Sequence, residues 1–277
     1  MLPELAEREA TGEIARIYGE LRTLCAVPYV ASMHRYLATR PGWLEWAWAA
    51  VRPVFADGSA QTTAWGLVGR LDVPPLPPLS PSALSVLGVD PDGARSIRAA
   101  CESFVRVSPT NLAFSGLLRR LLAGDRPAGA RDGERAGGPW TPPPFSGALP
   151  PLVDPARLPA DQRAMLLELG TEVDGRPFVA GLYRMLANWP AYLAHVGTVL
   201  RPRFTDPATT VRCRALLDRI DSAAPGLLAR LPALPASPPA PPRDQHGSVL
   251  TALERYRETS PQMVVFATLI RDALPAE

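Results

Sequence analysis

The residues able to do chemistry are few and scattered, and their spacing rules out more than it offers. The three histidines, His34, His195 and His246, stand alone, with no H-x-x-x-H, H-E-x-x-H or Cys/His cluster to hold a metal. Cys25, Cys101 and Cys213 form no C-x-x-C, so thiol redox chemistry has no motif. All 29 Lys+Arg residues are arginine, which excludes a lysine Schiff base and a pyridoxal phosphate anchor. There is no G-x-S-x-G elbow and no phosphate-cradling glycine loop. No cofactor is expected. What remains is carboxylate chemistry, in which a buried acid of raised pKa serves as general base. Glu45, Asp57, Glu172, Asp174 and Asp206 are the acids in or near helical segments. Asp57 and Asp206 read as helix caps, and Asp174 as a solvated loop acid. His34 reads as a helix-face residue with a satisfied ring, or as a base. Trp43, Trp46 and Trp48 read as core or pocket wall, because no basic stripe accompanies them.

The elements that must position these groups are written twice. PYVASMHRYLATRPGWL (28–44) and PFVAGLYRMLANWPAYL (177–193) share eight of 17 positions at an offset of 149. At an offset of 152, FVRVSPTNLAFSGLLRRLL (104–122) matches YRETSPQMVVFATLIRDAL (256–274). Two matching blocks in one order argue for a duplicated unit. The expected organisation is a first helical repeat over 1–122, a Gly/Pro-rich linker over 123–151 and a second repeat over 152–277. Proline clusters at 72–81 and 231–242 read as loops within the repeats. Thr11 is a candidate cap for a helix carrying Ile14, Ile17, Tyr18 and Leu21 on one face. Ser108-Pro109 and Ser260-Pro261 read as helix starts, serine capping and proline at the first position. Pro41 and Pro190 each separate two helices. No segment alternates as a strand, so the expected fold is all-α: a pseudo-dimer of two repeats packed face to face, with about five to seven helices each.

A net charge of +2 gives no reason to expect nucleic acid, and no apolar run approaches the ~20 residues of a membrane span. The opening MLPELAEREATGE lacks an apolar stretch, so no signal peptide is expected. With the unpaired cysteines this points to a cytoplasmic protein. A homodimer is compatible with the sequence. A pocket between the repeats would draw its individuality from positions where the copies differ: Ser32/Gly181, His34/Tyr183, Thr39/Asn188, Arg40/Trp189 and Asn111/Met263.

The ordered motifs ATGEIARIY (10–18), VPYVA (27–31), YLATRPGWL (36–44), LPPLVD (149–154) and LANWP (186–190) resemble the group I (DL-) 2-haloacid dehalogenases, a family also filed as halocarboxylic acid dehydrogenase. The resemblance covers nearly the whole chain. It implies an all-α pseudo-dimer, and hydrolytic removal of halide from a small 2-haloacid by a water that an aspartate activates. It also implies a substrate pocket formed by Tyr29, Ser32, Ser108, Asn111, Gly181 and Leu182. Of these, Leu182 falls on the family's catalytic aspartate and Ser108 on its asparagine. Leucine cannot accept a proton, so the catalytic residue is unknown. Three readings stay open: a hydrolase with a relocated base; a non-dehalogenating protein that binds a small organic acid or related molecule, or an enzyme of different chemistry in the same pocket; and a helical interaction protein.

Overall fold

The computed structural model describes residues 3–127, 140–173 and 176–276. The first half of the chain supplies α1 (Gly12–Cys25), α2 (Ser32–Leu37), α3 (Trp43–Ala56), α4 (Ser59–Gly66), α5 (Pro81–Val86) and α6 (Pro91–Ala123). The second supplies α7 (Ala160–Leu167), a hairpin of β1 (Thr171–Val173) and β2 (Arg176–Phe178), then α8 (Gly181–Leu186), α9 (Pro190–Leu200), α10 (Pro207–Ala229) and α11 (His246–Ala273). The all-α expectation holds apart from that hairpin, whose antiparallel register pairs Thr171 with Phe178. Strands of three residues are too short for alternation to show in the sequence. The proline clusters are irregular as expected, although Pro81 opens α5.

Among the described α-helices, side-chain caps fix the starts of α5, α6 and α10. Asp90 accepts the Gly93 N–H at 2.6 Å, with Pro91 in the first turn of α6. Asp206 accepts the Thr209 N–H at 2.9 Å, with Pro207 at the head of α10. Both obey the rule of a capping oxygen followed by proline. Thr11 precedes α1 in an extended conformation but makes no side-chain cap bond. Asp57 accepts the Ser59 N–H at 2.8 Å, in the turn leading into α4.

The two Ser-Pro pairs do not start helices. Pro109 lies inside the 33-residue α6 and Pro261 inside the 28-residue α11. An interior proline removes one i→i−4 bond and costs about 3 kcal/mol. Here both prolines are buried, and apolar packing along these two helices offsets that cost. The prolines mark the point where each long helix passes from one core to the other. The first core gathers α1–α4 with Phe114, Leu117 and Leu118 from the later part of α6 and Val249 and Leu253 from the earlier part of α11. The second gathers α7–α9 with Ile97 and Cys101 from early α6 and Phe266 and Ile270 from late α11. The short α2 packs on α11, and the short α8 on α6, so each half of the chain lays its short helix on the other half's long one.

The tryptophans are core, as expected. Trp43 and Trp48 are fully buried, and each indole N–H finds an acceptor, Gln245 Oε1 at 2.8 Å and Glu20 Oε2 at 2.7 Å. No described helix is long and apolar enough to cross a membrane.

Candidate functional site

A cavity of about 700 Å³ lies where α6 and α11 change cores. Positions that correspond in the two matching stretches of sequence line it. Ahead of and along α2 and α8 these are Tyr29 and Phe178, Ser32 and Gly181, and Arg35 and Arg184. Beside the two buried prolines they are Phe104 and Tyr256, Ser108 and Ser260, and Asn111 and Met263. The hairpin delivers Phe178, whose ring meets Tyr256 edge-on, centroids 5.2 Å apart at 87°. Tyr29 and Phe104 approach at 5.6 Å.

The strongest charges in the cavity are two arginines that face each other across the repeats. Arg35 Nη2 lies 2.7 Å from Glu4 Oε2, and Arg184 Nη1 lies 3.8 Å from the same oxygen. Their side chains are only 12% and 10% exposed. Burial lowers the Arg184 pKa and neighbouring Arg35 lowers it further, while Glu4 opposes both effects. Arg184 Nε also donates to the Val153 carbonyl at 3.0 Å, and Arg35 Nη2 donates to Ser32 Oγ at 3.2 Å. Arg35 Nε and Arg184 Nη1 are buried without a hydrogen-bond partner, as are Asn111 Oδ1 and Tyr256 Oη. Burial raises the Tyr256 pKa well above its usual range, with Glu4 adding to the shift, so the phenol stays protonated and able to donate.

The other acids of the cavity are committed. Glu7 accepts the Val30 N–H at 2.8 Å and pairs with Arg22 at 2.5 Å. Asp154 caps a short 3-10 turn by accepting the Ala156 N–H at 3.0 Å, with Arg157 Nε 3.8 Å away. Glu9 sits 3.8 Å from Arg8.

Of the residues that the resemblance assigns to the pocket, Tyr29, Ser32, Ser108, Asn111 and Gly181 are brought together here. Leu182 is not. It points into the second core, fully buried with Leu166, Val179 and Leu186. The residue of α8 that opens onto the cavity is its neighbour, Gly181, where an added Cβ would lie 3.1 Å from Phe104 Cζ. Among the positions that differ between the copies, Ser32/Gly181 and Asn111/Met263 line the cavity, whereas His34/Tyr183, Thr39/Asn188 and Arg40/Trp189 do not. His34 is buried on Phe114, ring centroids 4.5 Å apart, and neither ring nitrogen has a partner, contrary to the satisfied ring expected. Burial pushes its pKa down to about 3, so it is neutral. Glu45, Asp57, Glu172 and Asp206 lie outside the cavity, and Asp174 falls outside the described residues. Burial pushes Cys25 and Cys101 up to about 12 and Cys213 to about 11, which makes all three weak nucleophiles. Among the described residues, no group of three or more His, Cys, Asp or Glu could hold a metal ion.

Sequence reasoning missed Glu4, Tyr256 and the arginine pair. Arg35 and Arg184 are identical in the two copies and so read as scaffold. Their signal was that a strongly charged side chain repeated in an otherwise apolar segment has to be buried against something.

The fold and cavity together define a helical protein with an internal, arginine-bearing site of small-molecule size. Comparison with known proteins narrows this. The chain is 28% identical over 231 residues to a configuration-inverting 2-haloacid dehalogenase of Alcaligenes xylosoxydans xylosoxydans, covering 81% of this chain and 77% of that protein. It is 26% identical over 232 residues to an (R)-2-haloacid dehalogenase of Pseudomonas putida, covering 78% and 76%. The chain is thus similar in sequence to two 2-haloacid dehalogenases. No family model matches it. Its fold is that of a D-2-haloacid dehalogenase, seen in a mutant complex with D-2-CPA (TM-score 0.76, 21% identity, 99% of this chain and 96% of that one) and in a complex with L-LA (TM-score 0.74, 21% identity, the same coverage).

Proposed function

We propose that this chain is a divergent member of the 2-haloacid dehalogenase family, built as a pseudo-dimer, whose cavity between the repeats binds a small monocarboxylic acid. The observation that carries the reading is the pair of nearly buried arginines converging on one carboxylate oxygen. Two guanidinium groups in a half-apolar cavity are a natural carboxylate receptor, because arginine presents planar donors that match a carboxylate. The relatives act on 2-haloacids, which are small monocarboxylates.

Hydrolysis in that family, as the resemblance implies it, needs a free aspartate beside the substrate's α-carbon. Leu182 replaces that aspartate and is sealed in the second core. The described cavity acids are each engaged with an arginine or a backbone N–H. Losing a general base costs about 10²–10⁴ in rate. The reading is therefore carboxylate binding without the aspartate-activated water.

The test is a pair of measurements on the purified chain. 2-Chloropropionate of either hand should raise the melting temperature, since a ligand of the native state stabilises it. Halide release should stay at the level of buffer. Turnover above buffer that disappears in Asp154→Asn would replace this reading with hydrolysis by a relocated base. Absence of any melting shift with small acids would end it.

A further inference from the structure

We infer that Glu4 is a resident carboxylate that occupies the Arg35–Arg184 site in place of a ligand, and that a small monocarboxylic acid binds by displacing it. This rests on the carboxylate-binding reading of the same cavity.

The argument begins with electrostatics. Two guanidinium groups as buried as these repel each other and lose much of their hydration, so the site is costly without an anion. The anion present comes from the chain itself, and it satisfies the site incompletely. Glu4 is close to Arg35 but 3.8 Å from Arg184, and Arg35 Nε and Arg184 Nη1 remain without hydrogen-bond partners. A tether of backbone fixes where the Glu4 carboxylate can stand. A free carboxylate has no tether and can meet both arginines, with Tyr256 Oη as a further donor.

Charge selects the class of ligand. The acids lining the cavity, Glu4, Glu7, Glu9 and Asp154, equal in number its arginines, Arg8, Arg35, Arg157 and Arg184. Withdrawing Glu4 leaves one excess positive charge, which a monoanion restores to balance and a dianion exceeds.

The segment carrying Glu4 is attached lightly enough to leave. Residues 3–10 are exposed or half-buried, although the Glu4 side chain itself is only 12% exposed. Near Glu4 it is held by the Leu5 N–H on the Arg35 carbonyl at 3.1 Å and by Tyr18 Oη on the Leu5 carbonyl at 3.1 Å. Glu7, bound to Val30 and Arg22, is a fixed point about which residues 3–6 can swing. Segments with few buried contacts open locally at small free-energy cost.

The experiment compares the full chain with Glu4→Gln and Arg184→Gln, using propionate as probe and propionamide as the uncharged control. If the state with Glu4 withdrawn is populated at roughly a tenth, removing the competing charge tightens propionate binding about tenfold. Glu4→Gln is the decisive variant, because it keeps the side chain's shape while removing its charge; its melting temperature is read alongside, since Glu4 is only 12% exposed and neutralises two buried arginines. Arg184→Gln should lose propionate binding, and propionamide should bind none of the three chains. Hydrogen exchange at the Leu5 amide should speed up when propionate binds the unaltered chain. Propionate binding that is unchanged or weaker in Glu4→Gln, with Leu5 exchange unchanged or slowed, overturns the displacement while leaving the pocket reading intact. No propionate binding by any chain overturns both.

Discussion

Arg35 and Arg184 stand 149 positions apart in matching stretches of the two repeats, and they meet at a single oxygen of Glu4. Arg35 belongs to the short α2, which lies on α11, and Arg184 to the short α8, which lies on α6, so the same packing that builds the scaffold carries the two charges to one point. Replacing one of them tests whether the pair works as a unit. Arg184→Met should leave the protein folded, at a cost of no more than about 2 kcal/mol, because Glu4 keeps Arg35 as its closer partner. The same change should erase the melting shift with 2-chloropropionate, read by scanning fluorimetry with and without ligand.

Restoring an aspartate at position 182 should not restore hydrolysis. The side chain would enter the second core, where an unpaired carboxylate either stays charged at great cost or takes up a proton. Leu182→Asp is expected to lose about 3 kcal/mol or more of stability in urea melts and to release no halide. Halide release by a folded Leu182→Asp protein would mean that this side chain reaches the cavity after all.

His34 makes the protein sensitive to acid. Its folded pKa is pushed down to about 3 from an ordinary 6.5, so between those values the unfolded chain binds a proton that the native one refuses. The stability it contributes is complete above pH 6.5 and is lost as pH falls toward 3, at about 1.4 kcal/mol per pH unit for this group. His34→Leu, which removes the titrating ring, should flatten the dependence of stability on pH between 6.5 and 4 in guanidinium melts.

Arg257 is the other buried cation, 1% exposed, and it holds α6, α10 and α11 together. It donates to the Leu112 carbonyl at 3.2 Å and to Ser115 Oγ at 3.0 Å, and it pairs with Asp221 of α10. Asp221→Ala leaves Arg257 only the more exposed Glu254, 3.8 Å away, and should cost about 3 kcal/mol, the low end for a broken buried pair because Asp221 is itself partly exposed. Removing both partners in Asp221→Ala/Arg257→Met should be milder than the single change, which a double-mutant cycle in urea would show.

Much of the fold was legible because it is written twice. Pairs of matching helices and the loops at the proline clusters follow from spacing alone. Ser108-Pro109 and Ser260-Pro261 misled because a capping serine before proline looks the same at a helix start and within a long buried helix; only tertiary packing separates the two cases. The hairpin was hidden by its length. Five of the six pocket positions implied by resemblance do line the cavity, including Ser32 and Asn111, where the copies differ in chemistry. The ionic centre was not legible, because Glu4 reaches it from a segment with no motif and because identity between copies disguised Arg35 and Arg184 as framework. Leu182 and Gly181 are adjacent letters, but one rotation step along α8 puts the first in the core and the second on the cavity.

The crossing of α6 and α11 has a consequence for the chain as a material object. Neither half of the sequence contains a whole core, since each core borrows half of a long helix from the other repeat. Residues 1–127 and 140–277 made as separate polypeptides should each remain largely unstructured alone and assemble on mixing, like two hands that can only clasp each other. The intact chain should accordingly melt in one step, with no temperature at which one repeat survives the other.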